Sequence, residues 1–540
     1  MKSPNLVQAL IACAFLLASC SKPPLPEFTG IEITPELRAI METGRNTAFP
    51  PLHPDFWEIT AGFLTPFDPD EDLRVSETVR LNADPDFTTY TRRGKDLPEP
   101  GIQIFGRITR EEAVEDVQFL FDILRNGYSG YGYFGGDSAF LPARDSVLAD
   151  LAGMGNLIQK DAFLNLLART LGSLVTDNHF ILHNVVLGAL KHVPYMNGDI
   201  IMRRTEAGLV TEIDGRTYRV LGTELLDGAP VEAIMPTLTN DGEIAWAFGR
   251  LMGYPDREIT VLLEDEQSGE RLSRLVSLSR VESPWLGSDT LLSMRKEAGI
   301  TVLENRRMLS DGWENDGELY EAYTEFYRSG LEMRDKPILI LDIRSHGGGF
   351  PYLAYQWISG YAGLEPDEQA AFMPFVLATH TEQALSEAFY PDDPDFSFDY
   401  ERLPDLQVRY NRWAEDPDRR AQWILPEEWD DNLLSNNNFV IALTDYHVGS
   451  AGERFVGYLR QLENVLVVGT NTFGVLVTGG VVWTVLPRSN LTLQFSVSTL
   501  DLRPDLSQFE GIGLLPDLWV PPGESLERVL AFVRRYGIRR

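Results

Sequence analysis

Apolar positions along this chain change their period several times, and each change marks an element. From residue 109 they recur every three to four positions, so that Ala113, Val117, Leu120, Phe121 and Leu124 share one helical face. Thr109 and Glu112 stand ahead of them at capping-box spacing, where each side chain satisfies a backbone N–H that the first turn leaves free. Phe163, Leu164, Leu167, Ala168 and Leu171 predict a second helix over 161–171. The two make a small helical domain that ends in LGSLVTDNHFILHNV, 171–185, with His179 at a turn before an apolar run.

Between 193 and about 283 the pattern shortens to strands and turns, as in GLVTEIDGRTYRV and REITVLLEDEQSGERLSRLVSL, with TELLDGAPVEAIM between them read as a turn and a helix. This predicts a β-rich module of the size of a PDZ domain. After a helical stretch near 313–330 the alternation disappears. ILILDI (338–343), FVIAL (439–443) and VLVVG (465–469) are continuous apolar runs, the mark of strands buried on both faces. Phe455, Leu459 and Leu462 share a helical face between the last two, so this stretch reads as a βαβ unit. VVWTVLP and LTLQFSVS flank a Pro-Arg-Ser-Asn turn at 487–490 and predict a hairpin.

At 540 residues the chain exceeds what one core serves, and two to four domains are expected. The formal charge of −33 comes from 80 acidic against 47 basic residues, with no Lys/Arg cluster. Nucleic acid is a poor partner for such a surface. The charge reads as a soluble, self-repelling surface, or as a preference for basic substrates. Lys2, an apolar stretch from Leu6 to Leu17 and the small residues of LLASC resemble a bacterial lipoprotein signal. That implies a signal peptide over 1–19, an acylated Cys20, and a Pro-rich tether and extension over 20–104. The protein would then be lipid-anchored in the cell envelope, and Ser21 after the cysteine suits the outer membrane, facing the periplasm or the cell surface. Cys13 and Cys20 are the only cysteines, which leaves no disulfide in the mature chain, no Cys nucleophile and no Cys-based zinc site. His179 and His183 lie four apart without an intervening Glu or an obvious third ligand, so neither metal nor cofactor is expected.

Candidate chemistry sits in two segments, LDIRSHGGGF at 341–350 and TDYHVGSAGERF at 444–455, each following an apolar run. Gly347, Gly348 and Gly349 let the backbone turn N–H groups toward a ligand. Ser450 falls at a helix N-terminus, where the dipole and free N–H groups favour an oxyanion. The same residues also fit a tight strand-to-helix turn and an ordinary N-cap.

The runs LILDIRSHGGG, VGSAGERFVGYLRQLENVLVVGTNTFG and FEGIGLLPDLWV, in that order, resemble peptidase family S41, which includes the carboxy-terminal processing proteases and the tricorn core proteases. The likeness covers roughly 105–525. It implies a multidomain α/β protein: a helical domain over 105–190, a degenerate PDZ-like β module over 191–285, a ClpP/crotonase-like α/β peptidase core with a C-terminal hairpin over 286–525, interrupted by an insertion at 365–435, and a helix over 526–540. It makes Ser450, three residues before Glu453, the nucleophile. The processing proteases pair this serine with a lysine where this chain has Val475, which rules out a Ser/Lys dyad. The tricorn branch instead uses a histidine and a glutamate, matching His179 in TDNHF and Glu510 in FEGIGLLPD, with Asn178 in place of that branch's serine. His179 would take the Ser450 proton, Glu510 would orient the imidazole directly or through Asn178, and Ala451 with Gly347 or Gly348 would form the oxyanion hole. His346 and His447 are rival bases. No carboxylate-loop pattern accompanies the PDZ-like module. The implied function is a membrane-anchored serine endopeptidase acting outside the cytoplasm on peptides or unfolded segments, without a cofactor. A peptide- or ligand-binding lipoprotein that has lost catalysis is the alternative, to which Val475 and Asn178 point.

Overall fold

The computed structural model describes residues 28–48, 55–64, 66–82, 106–183, 185–188, 191–253, 257–287, 292–308, 316–349, 351–363, 375–389, 422–424, 433–500 and 509–539. Cys20 and most of the 365–435 insertion lie outside them. Among the described residues the central sheet has six strands, ordered Ser293–Glu297, Ile300–Glu304, Ile338–Asp342, Phe439–Thr444, Val465–Gly469 and Leu518–Trp519. All but the first run parallel. The three continuous apolar runs are its central strands, buried along their length because both faces are covered. Leu339, Leu341, Val440, Ala442, Val465 and Val467 pack against helices Asp316–Met333, Pro351–Ala362 and Ala451–Arg460. Ile338, Ile340, Ile441, Leu443, Leu466 and Val468 point the other way, into a core shared with the β module and helix Pro522–Tyr536. Asp342 pairs beside Leu443, so the glycine loop and the Ser450 turn leave the sheet side by side at its carboxyl edge.

A second sheet brings in the other half of the site. The hairpin forms over Thr478–Val485 and Thr492–Leu500, and its second strand continues the sheet to Ile181–Leu182, with Leu493 beside Leu182. Helices Arg110–Gly127, Gly136–Gly153 and Lys160–Gly172 bury their apolar faces in the same core. The capping box is present: the Glu112 N–H donates to Thr109 Oγ1 at 3.2 Å, and the Thr109 N–H to Glu112 Oε2 at 2.7 Å. The middle helix was not predicted, because Gly135, Gly136 and Pro142 interrupt its pattern. Asp137 in its first turn is held instead by both arms of Arg125, at 2.9 and 3.0 Å.

Among the described residues, 193–280 form an antiparallel sheet of eight strands and no helix. The helix expected in TELLDGAPVEAIM is replaced by a turn and strand Ile234–Leu238, since Ala233, Met235 and Thr237 bury at period two. The tether is also corrected. Thr34 accepts the Leu37 N–H at 3.1 Å and opens helix Pro35–Ala48, whose Leu37 and Met41 are buried one turn apart. Strand Phe28–Ile31 pairs antiparallel with Gly537–Arg539, a strand that follows helix Pro522–Tyr536 where a helix had been expected to run to the end. The described part of the insertion is not an appendage. Phe375–Ala378 extends the second sheet, and helix His380–Phe389 starts on the buried Asp72, which accepts the N–H of His380 at 2.7 Å and of Thr381 at 2.9 Å. No helix among the described residues is long and apolar enough to cross a membrane.

Candidate active site

Ser450 is the N-cap of helix Ala451–Arg460, with φ +52° and ψ −116°, a conformation that a residue with a Cβ adopts only when its surroundings impose it. The imposition is visible on both sides. Its N–H donates to Glu453 Oε2 at 3.1 Å, and the preceding Gly449 N–H donates to the His346 carbonyl at 2.9 Å. Strand, sharp turn and helix thereby present the hydroxyl at the top of the sheet, the geometry of a nucleophile elbow. The Ala451 N–H, at the first helical position, has no partner among the described residues and points from the positive end of the helix dipole.

Gly348 lies against the serine: at φ +111°, a Cβ there would stand 3.1 Å from Ser450 Cβ and 3.7 Å from its Oγ. Any side chain would crowd the hydroxyl. Its N–H, however, donates to His346 Nδ1 at 3.1 Å, so Gly348 makes room for the oxyanion without supplying a donor. Gly347 is exposed, and its N–H has no partner among the described residues, which leaves Gly347 as the glycine-loop candidate.

Glu453 ties this turn to the loop 472–475. Its Oε1 accepts from Thr472 Oγ1 at 2.5 Å and the Gly474 N–H at 2.7 Å, and its Oε2 accepts the Val475 N–H at 2.8 Å as well as Ser450. Burial raises its pKa, and these donors oppose the rise. Val475 stands where the resemblance implied a vacated lysine, with Cγ1 3.4 Å from where a Gly449 Cβ would be.

The loop also carries the histidine side. Asn178 Nδ2 donates to the Gly474 carbonyl at 2.8 Å, so Ser450 and Asn178 are joined through Glu453 and the one peptide between Gly474 and Val475. His179 is buried, and its Nδ1 lies 4.0 Å from Asp177 Oδ1 with no hydrogen bond of its own. Burial lowers its pKa, which the Asp177 charge opposes and the Arg454 charge reinforces. The ring is therefore neutral at neutral pH, the state a general base needs. No hydrogen bond joins it to Ser450; such pairs are often long without substrate and tighten when one binds.

Glu510 does not touch the imidazole. Its Oε1 accepts the Asn178 N–H at 2.8 Å, and its Oε2 accepts those of Leu476 and Val477 at 3.0 and 3.3 Å. It therefore reaches His179 only through the Asn178 backbone. Burial and the nearby Asp177 charge raise its pKa. The Asn178 side chain is no relay either, since its Oδ1 has no partner. Asp177 is the carboxylate nearest the His179 ring. It accepts the backbone N–H of His179 at 2.8 Å, Tyr128 Oη at 2.8 Å and Thr478 Oγ1 at 2.7 Å, which fixes its orientation. The sequence reading missed it, although an acidic residue two before the histidine in TDNHF was the available signal.

Both rival bases are occupied elsewhere. His346 is fully buried under the helix start, accepts the Gly348 N–H, and is held down to about pKa 3 by burial. His447 Nε2 lies 3.2 Å from the Ser283 carbonyl and its ring meets Trp285 edge-on. Among the described residues no group of three His, Cys, Asp or Glu side chains is placed to hold a metal.

Residues 379–520, which hold the serine turn, the loop 472–475 and Glu510, match the model of peptidase family S41. Over those residues the chain is similar to peptidase family S41. The S41 match begins inside the segment read from sequence as an insertion outside the likeness, in keeping with the packing of helix His380–Phe389. Among solved structures, mature CPAF complexed with lactacystin is similar at 14% identity over 79% of this chain and 97% of that one, with a TM-score of 0.35. The photosystem II D1 C-terminal processing protease is similar at 13% over 78% and 97%, with a TM-score of 0.31. The tricorn protease is similar at 13% over 79% and 37%, with a TM-score of 0.31. Likenesses this distant support no residue assignment. No curated protein matches the chain.

Proposed function

We propose that this protein is a serine endopeptidase cleaving peptides or unfolded protein segments, with Ser450 as nucleophile and His179 as general base. The observation that carries the reading is the strained Ser450 N-cap beside Gly348 with an uncommitted Ala451 N–H. Attack of Oγ on a scissile carbonyl transfers its proton to His179. The tetrahedral oxyanion is held by the N–H of Ala451 and Gly347, and His179 returns the proton to the leaving amine. Asp177 orients the imidazole and balances its charge, and Glu510 holds the Asn178 backbone that sets where His179 begins. With Val475 in place of a lysine, the site fits the branch of the family without a Ser/Lys dyad. The resemblance of residues 1–20 to a lipoprotein signal supports a further reading, attachment to the cell envelope through an acylated Cys20, which metabolic labelling with a palmitate analogue tests in wild type against Cys20→Ala.

Fluorophosphonate labelling of the purified protein, read by mass spectrometry beside Ser450→Ala, tests the enzyme reading. Modification at Ser450 that vanishes in the variant supports it. A folded protein that takes no label turns the assignment to a peptide-binding protein without catalysis.

A further inference from the structure

Lys191 is a cationic side chain that the mechanism above does not use, although its charge interacts with Glu453, Glu510 and His179. The segment that carries it is pinned: the His192 N–H donates to the Gly511 carbonyl at 2.8 Å, and Asn471 Nδ2 donates to the His192 carbonyl at 3.0 Å. Lys191 is thereby fixed beside Glu510's loop and over Phe473. Its Nζ lies 2.9 Å from the centre of the Phe473 ring and donates to the Phe473 carbonyl at 3.3 Å. Phe473 in turn borders the nucleophile turn. Its N–H donates to the Val448 carbonyl at 2.7 Å, and its Cβ is 3.5 Å from where a Gly449 Cβ would be.

An ammonium has three donors, and among the described residues one carbonyl and one ring face are its partners. The carboxylates nearest in charge, Glu453 and Glu510, already accept from four and three donors respectively. Among the described residues Lys191 has no ion pair. A partly buried cation without a counter-ion among the described residues is held at a cost, and its pKa is lowered to about 8 by desolvation, which the Glu453 and Glu510 charges only partly offset. Phe473 remains partly exposed beside it at 37%, so the pair forms an apolar shelf with a positive end at the mouth of the site.

Resting on the peptidase reading, we propose that Lys191 with Phe473 forms a specificity subsite that binds a carboxylate of the substrate close to the scissile bond. The carboxylate belongs either to an acidic side chain or to a free C-terminus. It supplies the missing counter-ion, while Phe473 takes the adjoining apolar part. This runs against the preference for basic substrates that overall charge alone suggests.

The test is competition against a neutral alkyl fluorophosphonate at Ser450, using three hexaalanine peptides: one acetylated and amidated, one with a scanned Asp, and one with a free C-terminal carboxylate. In wild type, one acidic peptide should protect about tenfold better than the neutral one, and which of them does so identifies the source. Lys191→Met should bring that ratio to one, and Lys191→Arg should retain it, because the charge remains. Equal protection by all three in wild type, or a ratio that survives Lys191→Met, overturns the subsite. If Lys191→Arg abolishes labelling itself, the neutral amine is the base and the subsite is likewise overturned. Absence of any Ser450 labelling in wild type is a different result, which removes the peptidase reading and this inference with it.

Discussion

His179 Nδ1 stands 4.0 Å from Asp177 Oδ1, while Glu510 spends its carboxylate on the backbone of Asn178, Leu476 and Val477. The two acids that surround the base therefore have separable effects. Asp177→Asn should lower kcat/KM by about 10²–10⁴-fold, because the imidazole loses its orienting charge. Glu510→Gln should cost less in turnover and more in stability, since a buried acceptor for three N–H groups is weakened. Steady-state kinetics and denaturant melts on the two variants check the ordering; equal losses of kcat would remove Asp177 from its place.

Ser450 should be a site where function opposes stability. At φ +52° and ψ −116° a Cβ is strained by about 1–3 kcal/mol, and glycine relieves that strain. Ser450→Gly is expected to melt above Ser450→Ala, both without turnover. Identical melting temperatures would mean that the turn is not strained.

The buried His346 gives the fold an acid limit. The native protein keeps it neutral down to about pH 3, whereas the unfolded chain takes up a proton near 6.5. The unfolded state thus binds more protons between those values, and stability falls as pH drops through that window, by up to about 1.4 kcal/mol per pH unit. His346→Asn, whose Oδ1 can accept the Gly348 N–H in place of Nδ1, should flatten this part of the stability profile. Urea titrations at pH 4, 5, 6 and 7 decide it.

Helix Pro35–Ala48 should prove part of the core. A Cβ at Gly44 would stand 1.8 Å from Asp517 Oδ1 and 2.9 Å from Arg460 Nη1, atoms of a buried ion pair. Gly44→Ala is expected to destabilise the protein by about 2 kcal/mol or more, as breaking a buried pair does. A melt unchanged from wild type would place this helix off the core in solution.

The features legible in the sequence are those fixed locally. Ile338–Asp342, Phe439–Thr444 and Val465–Gly469 announce themselves by unbroken apolar runs, Thr109 and Glu112 by spacing, and the hairpin by its turn. Ser450 was visible because its strand and helix bracket it. What was hidden depends on distant partners. The stripe of Leu37 and Met41 has meaning only against a surface made by residues four hundred positions later, and the prolines around it suggested a tether. Asp177 was passed over because its neighbour Asn178 occupied the expected relay position, and only the fold shows which of the two carboxylates, Asp177 or Glu510, stands beside the imidazole.

The pairing of Phe28–Ile31 with Gly537–Arg539 makes the first described strand wait for the last. Arg45, on the helix that follows that strand, likewise donates to the carbonyls of Arg460, Leu462 and Glu463. Strand Phe28–Ile31 and Arg45 have these partners only once residues 460–539 have been made, and contacts of such separation form late. The N-terminal strand and helix are therefore among the last elements to be fixed, and the cores between them form without their help.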